Sequence, residues 1–213
     1  MTASESTATR RHAEPAGPRK PASAASLRDA IARRMRDSVL PGDGPADGKW
    51  IADAARILLV AAQHRLPGNA IVDLASTSEE RRKMRIVLVN DDMPFLLDSV
   101  AAVIAEAGLA VDCIAHPVLM VERNAEGRLI AIPDQPGPGA FRESLIYIET
   151  ARVDARQRAE LARAIEAVLA DVRAAVSDWP RLVEAMRADA RTIADGEGSE
   201  LLDWFADGML TQL

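Results

Sequence analysis

The sequence has little of several residue types on which whole classes of protein depend. It contains one cysteine, Cys113, so an intramolecular disulfide is impossible and a reducing, cytoplasmic location is expected. No apolar run approaches the ~20 residues that span a bilayer. The N-terminus also lacks the apolar core of a secretion signal. We therefore predict that the chain has no membrane partner.

Acidic residues outnumber basic ones outside the N-terminal part of the chain. Residues 1–36 carry eight Lys and Arg against three acids, a net charge of +5, so the remainder carries −11 of the total of −6. Nucleic-acid binding requires a basic face that displaces counterions from phosphates. The acidic body therefore predicts no nucleic-acid partner. Residues 1–25, rich in Ser, Ala and Pro, predict a disordered basic tail.

Lysine is absent after residue 83, which decides how the segment IVLVNDDMPFLLDSV (86–100) is interpreted. An apolar run ends at Asn90-Asp91-Asp92, and Pro94 then opens a predicted helix. Paired acids at the end of a strand are typical of phosphoacceptor receiver domains. That chemistry requires a later lysine to pair with the phosphoryl group, so we exclude it.

Three interpretations of the paired acids remain. A metal site needs six or more oxygen ligands, and the other candidate donors, Asp98, Asp112 and Glu143, follow no recognisable spacing, so no metal is predicted. Helix capping requires only one carboxylate: Asp91 or Asp92 would accept hydrogen bonds from the free N–H groups of the helix that begins near Pro94. A ligand site at the same helix end is compatible with capping. Its candidate residues are Asn90, Asp91, Asp92, Met93 and His116.

Catalytic signatures are also missing. The sequence contains no G-x-G-x-x-G, no G-x-x-x-x-G-K-[ST] and no G-x-S-x-G motif. His116 has no Cys or Asp at triad or zinc spacing, and Cys113 is interpreted as a small buried hydrophobe. We predict no catalytic residue and no cofactor in this chain.

Hydrophobic periodicity predicts an α+β fold. From residue 84 the order is strand, helix, two strands, helix, with an extra hairpin arm, which indicates a ferredoxin-like antiparallel sheet with helices packed on one face. N- and C-terminal helices flank it. The predicted helices are 27–39, capped by Ser26, then 49–64, 94–107, 154–179 and 181–194. The predicted strands are 69–76 at an edge, 84–90 buried at the centre, 109–123 with a bulge or an edge position at Pro117, 128–132 and 143–152. Residues of strand 143–152 alternate in a period of two, with Leu145 and Tyr147 on one face and Ile146 and Ile148 on the other.

Four segments follow from this pattern: a tail at 1–25, N-terminal helices at 26–66, an α+β domain at 67–180 and a C-terminal helical linker at 181–213. Asp154 and Gln157 predict a reciprocal capping box at the start of the longest helix. Trp179-Pro180 is predicted to end that helix. In the last segment, GSELLDWFADGMLTQL, the predicted cap Ser199 precedes an apolar helix, which is typical of a helix that continues into further protein or packs against a partner.

Four collinear segments resemble the N-terminal region of the large bacterial NAD-specific glutamate dehydrogenases. They are VNDDMPFLLDSV, HPVLMVERNAEGRL, ESLIYIET and LADVRAAVSDWP, and the resemblance covers roughly residues 49–213. It implies an ACT-like regulatory module ahead of a catalytic domain that this sequence does not contain. For the full-length enzyme it implies NAD and the conversion of L-glutamate to 2-oxoglutarate and ammonia.

The resemblance also implies the partners of the chain. These are the remainder of the dehydrogenase, further copies in a homo-oligomer and an amino-acid effector. The alternative is a stand-alone ACT-type amino-acid sensor or dimerisation module that acts on a partner enzyme. Amino-acid-binding ACT modules commonly place glycine after the proline of the first β-α turn, where this chain has Phe95. The bulk of Phe95 favours an architectural role, and strand 69–76 is a candidate for the closing edge of the sheet.

Overall fold

The structure is a computed structural model that describes residues 21–39, 47–77, 83–193 and 196–209. Most of the predicted tail, the Gly/Pro-rich loop at 40–46, the charged turn at 78–82 and the last residues, 210–213, lie outside the described residues. Within the described ranges, no helix is both long enough and apolar enough to cross a bilayer.

The described residues form five α-helices and six strands of an α+β protein, which confirms the predicted fold class. The helices are α1 (Ala24–Ser38), α2 (Gly48–Ala62), α3 (Leu96–Glu106), α4 (Ala155–Thr192) and α5 (Glu197–Trp204), with a last turn at Phe205–Met209. The strands are β1 (Ile71–Ser76), β2 (Lys83–Asp91), β3 (Val111–Ala115), β4 (Val118–Arg123), β5 (Leu129–Ala131) and β6 (Ala140–Ala151).

The six strands form one antiparallel sheet in the order β1-β2-β6-β4-β5, with β3 also paired to β6. β2 pairs with one edge of β6 from Glu143 to Ala151. β3 and β4 therefore both pair with the other edge of β6, one after the other along its length. His116-Pro117 separates them, where proline cannot donate to a ladder. The predicted long strand with an irregularity at Pro117 is thus present as two collinear pieces.

β1 closes the sheet beside β2. The two strands pair antiparallel from Ile71 opposite Val89 to Ser76 opposite Met84, and β1 is an edge strand. This confirms the predicted edge strand. The strand that closes this edge of the sheet is thus β1, which precedes β2 in the sequence.

Two hydrophobic cores lie on opposite faces of the sheet. Alternation along β6 directs Leu145 and Tyr147 to the core under α1 and α2, while Ile146 and Ile148 face α3 and α4. The predicted alternation is therefore confirmed. The pair of helices that the ferredoxin-like pattern predicts on one face is α3 and α4, and the N-terminal helices cover the other face.

The predicted end of the longest helix is wrong. α4 runs through Pro180 to Thr192 as one helix of 38 residues, and the separately predicted helix 181–194 is its continuation. Proline removes the one N–H that would bond the carbonyl of Val176. Pro180 is exposed, so solvent can hydrate that carbonyl and the helix continues.

Several predicted caps are corrected by the structure. Asp154 does cap α4, accepting from the Gln157 N–H at 2.8 Å, but the Gln157 side chain donates to the carbonyl of Ala107 rather than closing a capping box. Ser23, not Ser26, caps α1. Ser199 lies inside α5 and donates to the Ala190 carbonyl on α4 at 2.9 Å.

Candidate functional site

The paired acids at the end of β2 contact different faces of the sheet. Asp91 accepts from Arg65, which follows α2, whereas Asp92 accepts from the hydroxyl of Ser144 on the α3 side. Neither caps a helix: α3 starts at Leu96, and the residue before it, Phe95, makes no side-chain capping bond. The predicted cap is wrong because guanidinium and hydroxyl donors, which are stronger or nearer partners, take both carboxylates.

Asp91 is held by three donors from different parts of the chain. Arg65 Nη2 donates to Oδ1 at 2.6 Å, while Arg173 Nη1 and the Gly68 N–H donate to Oδ2 at 2.6 and 2.9 Å. Burial opposes ionisation, but the hydrogen bonds from Arg65 and Arg173, the charge of Arg65 and the Gly68 amide outweigh it and lower the pKa of Asp91. Asp91 is therefore a stable anion that ties α4 to the end of the sheet.

Glu143 on β6 lies opposite Asp91 and anchors a buried ionic network. Its Oε1 accepts from Arg65 Nη2 at 2.6 Å and from Arg123 Nε at 2.7 Å, and its Oε2 accepts from Arg123 Nη2 at 2.8 Å. The side chains of Glu143 and Arg65 are 0% exposed and that of Arg123 is 2% exposed. A buried charge is tolerated only when paired and hydrogen-bonded, and here both requirements are met.

The turn between β4 and β5 completes the network from the other side. The carbonyl of Gly127 accepts from the Arg65 N–H at 2.9 Å and from Arg123 Nη1 at 2.8 Å. Gly127 has φ 83°, and a Cβ built there would lie 2.7 Å from the Arg65 carbonyl oxygen. Glycine is required at position 127 because of the left-handed backbone conformation and because the Arg65 backbone lies too close for a Cβ.

Asp92, in contrast, makes a more open set of contacts. Arg142 Nε and the Ser144 hydroxyl donate to its two oxygens at 2.7 Å each. The Arg142 side chain is 63% exposed, so this pair is screened by solvent. The Asp92 carboxylate is thus accessible from the surface in a way that Glu143 is not.

Two buried nitrogens on the α3 side of this end have no hydrogen-bond partner among the described residues: Asn90 Nδ2 and His116 Nε2. Asn90 is 2% exposed, and Arg173 Nη2 donates to its Oδ1, which fixes the amide so that the unpaired atom is a donor. Unpaired buried polar groups cost free energy and are rare in native proteins. Both atoms are therefore candidates for contact with a ligand.

His116 belongs to the same end of the sheet as Asn90. Asn90 pairs with Ser144, and Ser144 pairs with Val118, which follows His116-Pro117. Burial lowers the pKa of His116, and the negative charge of Asp92 only partly opposes that effect. The imidazole is accordingly neutral at pH 7 and offers one donor and one acceptor nitrogen.

The turn from β2 to α3 places the remaining predicted residue, Met93, against the α3/α4 core. Phe95 at the end of the turn has φ 68°, the left-handed conformation that bulky residues rarely adopt, and its side chain is 40% exposed. Backbone strain at an exposed aromatic next to unpaired polar atoms is typical of a functional turn.

The structure thus brings four of the five predicted ligand residues, Asn90, Asp91, Asp92 and His116, to one end of the sheet, while Met93 packs inward. Of these, Asp91 is bonded by arginines from both sides of the sheet, Arg65 after α2 and Arg173 on α4. No group of three or more His, Cys, Asp or Glu side chains in the described part of the chain is arranged to hold a metal ion.

Sequence reasoning missed the arginines Arg65, Arg123 and Arg173. One signal was available, since the period-two pattern of β6 places Glu143 on the same face as Leu145 and Tyr147. A glutamate on a core-facing position requires a cationic partner. The pattern does not say which arginine supplies it, because the partners lie 78 and 20 residues away in the chain.

A second buried glutamate, Glu149, lies near the other end of β6, where Lys83 Nζ is 3.9 Å from its Oε2 and two aromatic residues donate to its Oε1. Its Oε1 accepts from Trp50 Nε1 at 2.9 Å and from the Tyr147 hydroxyl at 3.0 Å. The Trp50 and Tyr147 rings meet edge to face with centroids 5.5 Å apart. These contacts join α2 to the sheet and give the cluster a structural role.

The comparison with known proteins agrees with this architecture. Residues 47–165 match the family model described as the ACT1 domain of glutamate dehydrogenase. The chain belongs to this family. The matched ACT1 region runs from the cap of α2 to the buried part of α4 and contains all five predicted ligand residues.

Two curated relatives are NAD-specific glutamate dehydrogenases. The protein of Halomonas elongata is 39% identical over 109 residues, which are 50% of this chain and 6% of the relative. The protein of Pseudomonas aeruginosa is 34% identical over 128 residues, 59% of this chain and 7% of the relative. The chain therefore corresponds to a small part of the length of either dehydrogenase.

Proposed function

We propose that the chain is the N-terminal regulatory and assembly portion of an NAD-dependent glutamate dehydrogenase. In this proposal the conversion of L-glutamate and NAD to 2-oxoglutarate, ammonia and NADH takes place in catalytic polypeptide outside these residues. The match of residues 47–165 to the ACT1 domain supports it most strongly. Partners would be the remainder of the dehydrogenase and further copies of it.

The regulatory role requires an effector, for which we propose an α-amino acid bound at the end of the sheet. Asn90 Nδ2 is a fixed donor without a partner and suits a carboxylate. The N–H groups of the first turn of α3, free of a side-chain cap, suit the same negative charge. The Asp92 carboxylate can pair with an ammonium group, and the neutral imidazole of His116 can complete the recognition.

A stand-alone amino-acid sensor or dimerisation module is the second candidate. The same unpaired nitrogens support sensing, and the exposed apolar side chains of α5, among them Leu201 and Trp204, support assembly. Light scattering at several protein concentrations tests assembly, because a strictly monomeric chain would count against it.

The first experiment measures NADH formation by residues 1–213 with L-glutamate and NAD. We expect no turnover from this chain and robust turnover from the complete dehydrogenase that contains it. NADH formation that increases in proportion to the concentration of the 213-residue chain would refute the proposal.

The second experiment is titration calorimetry of the chain against the protein amino acids. One hydrogen bond contributes about 1 kcal/mol, so loss of the His116 contact in His116→Ala should weaken binding roughly five- to tenfold. His64→Ala, at an exposed histidine beyond α2, is the matched control and should bind like the unmodified chain. If no amino acid binds, the effector site is wrong, whatever the NADH assay shows.

A further inference from the structure

The last helix carries an exposed aromatic face that is bordered by acids. Leu201 and Trp204 of α5 are each 49% exposed, and the ring centroids of Trp204 and Phe205 are 5.3 Å apart. Glu200 lies three and four positions before Asp203 and Trp204, so these side chains neighbour one another on the helix surface. We call the surface formed by Glu200, Leu201, Asp203 and Trp204 the α5 face. Apolar surface rimmed by polar residues is typical of an interaction site.

The charge around the α5 face is of one sign. Residues 196–209 contain no basic residue and four acids, Glu197, Glu200, Asp203 and Asp207. Asp207 pairs with Arg187 of α4 at 3.3 Å. Glu200 and Asp203 are exposed and form no ion pair with a residue that the structure describes. Tryptophan attracts cations to the face of its ring, so the α5 face fits a partner with one or two cationic groups.

The N-terminal tail contains such groups. Residues 1–20 carry four basic side chains against two acids, a net charge of +2. Two of the four are the adjacent Arg10 and Arg11, and arginine both stacks on aromatic faces and pairs with carboxylates. Prolines follow at every third position, Pro15, Pro18 and Pro21. Proline-rich sequences favour the polyproline II conformation and act as semi-rigid spacers. The sequence thus places an arginine pair at the far end of a spacer.

The tail and α5 leave the domain at the same end of the sheet. The Ala22 N–H donates to the carbonyl of Ile130 on β5 at 2.9 Å, so the tail starts beside β5. β5 lies at the beginning of β6, which is also where Asp91 of β2 pairs with β6. Arg173 of α4 donates to Asp91, and α4 continues from there to the residues that hold α5.

The length of the spacer matches the distance to the α5 face. β5 and β2 are three strand spacings apart, roughly 14 Å, and α4 lies one layer, roughly 10 Å, from the sheet. Arg187, which holds Asp207 beside the α5 face, lies roughly 21 Å beyond Arg173 along α4. Taken at right angles, these displacements combine to roughly 27 Å. From Ala22 back to Arg11 the chain spans roughly 34 Å as polyproline II, so the arginine pair reaches the α5 face of the same chain.

We propose that Arg10 and Arg11 bind the α5 face of their own chain, with a guanidinium over the Trp204 ring and ion pairs to Glu200 and Asp203. Exposed ion pairs are individually weak. Because both partners belong to one chain, however, their effective concentration is on the order of mM, which favours the contact. The contact joins the two terminal segments of the chain across one end of the sheet.

The test uses paramagnetic broadening in the full 213-residue chain. A spin label is attached at Ala13→Cys, close to the arginine pair, in a Cys113→Ala background. Labelling with ¹⁵N-tryptophan gives three indole signals, those of Trp50, Trp179 and Trp204. We expect the spin label to broaden the Trp204 signal strongly. The Trp50 signal should stay sharp, because Trp50 is bonded near the opposite end of β6.

The deciding comparison removes two charges from different parts of the tail. Arg10→Gln/Arg11→Gln should restore most of the Trp204 signal, because the loss of two surface pairs lowers the docking equilibrium constant roughly fivefold or more. Arg19→Gln/Lys20→Gln removes the same charge from the spacer and should leave the signal broadened. Equal Trp204 intensities in these two variants would overturn the proposal.

A mixture of two chains checks that the contact forms within one chain. When the spin label is on a chain without ¹⁵N, the Trp204 signal of an unlabelled ¹⁵N chain should stay sharp. Broadening as strong as within one chain would overturn the proposal and assign the α5 face to a second copy. If Cys113→Ala disturbs the fold, as the Trp50 signal reports, Cys113 is retained, since it is 2% exposed and shielded from the label.

Discussion

The two faces of the sheet use charge differently at the same end. On the α1/α2 face, Glu143 joins Arg65 and Arg123 in a buried network in which both carboxylate oxygens are bonded. On the α3/α4 face, Asp92 pairs with an exposed arginine, and buried nitrogens of Asn90 and His116 have no partner in the described structure. At this end of the sheet, the buried charges of the α1/α2 face are all paired, whereas two buried nitrogens of the α3/α4 face are not.

The neighbouring residues Asp91 and Asp92 differ accordingly. Asp91 joins both sides of the sheet, since it accepts from Arg65 after α2 and from Arg173 on α4, whereas Asp92 accepts from Arg142 and Ser144. A completed buried network fixes the geometry of the strand ends. The unpaired polar atoms on the other face cost free energy in the unbound protein, and hydrogen bonds to a ligand can offset that cost.

The largest effect is expected on the α1/α2 face. Glu143→Gln removes the negative charge shared by Arg65 and Arg123, both buried, and breaking a buried ion pair costs about 3–5 kcal/mol. Urea unfolding should show a loss of that size. Glu126→Gln, at an exposed acid in the β4–β5 turn, should change the free energy of unfolding by less than about 0.5 kcal/mol.

On the α3/α4 face, Asp92→Asn should cost about 1 kcal/mol or less, because its arginine partner is exposed. Equal losses for Glu143→Gln and Asp92→Asn in the same urea series would abolish the distinction between the faces.

The second effect concerns the glycine that lets the β4–β5 turn approach Arg65. Gly127→Ala combines a left-handed backbone with a Cβ 2.7 Å from the Arg65 carbonyl oxygen, so we expect a loss of about 2–3 kcal/mol. Gly68→Ala has a similar φ of 86° and open space around the Cβ, and should lose only the left-handed penalty of about 1 kcal/mol. Thermal unfolding of both variants measures the difference, and equal losses would show that the close approach is unimportant.

The third effect is the acid dependence of stability. The pKa of folded Asp91 lies below its ordinary value of 3.8, so its ionisation stabilises the fold fully above pH 3.8. That contribution is lost as the pH falls through 3.8 to the lower folded pKa. Asp91→Asn should therefore differ most from the unmodified chain near neutral pH and converge with it in acid. A difference in unfolding free energy that stays constant between pH 7 and pH 2 would contradict this.

The smallest effect is expected at Phe95. Phe95→Gly relieves the left-handed strain, worth about 1–2 kcal/mol, but increases the entropy of the unfolded chain by about 0.5–1 kcal/mol. We expect a net gain of up to about 1 kcal/mol in thermal unfolding. Removal of the ring should also strengthen amino-acid binding in calorimetry, whereas weaker binding would make Phe95 part of the recognition surface.

The sequence predicted those features that depend on local pattern. The alternation of β6, the buried β2 and the edge strand β1 are all present. Predictions that required choosing the hydrogen-bond partner of a polar side chain were wrong, as for the helix caps expected from Asp91, Asp92 and Ser199. A side chain bonds the nearest strong donor in three dimensions, and for Asp91 those donors are 26 and 82 residues away.

The end of α4 could not be predicted for a related reason. Proline disfavours a helix locally, but apolar positions continue on both sides of Pro180. Val176 packs against the α3/α4 core, and Ala190 is buried with its carbonyl bonded to Ser199 of α5. Tertiary packing therefore outweighed the local preference.

Amide and side-chain NMR of the chain during titration with amino acids tests the central claim most directly. We expect shifts at the Asn90 side-chain amide, at His116 and at the backbone of Asp92 and Met93, while the guanidinium signals of Arg65 and Arg123 stay fixed. Shifts confined to the Arg65–Glu143–Arg123 face, or no shift with any amino acid, would contradict the assignment of binding to the α3/α4 face.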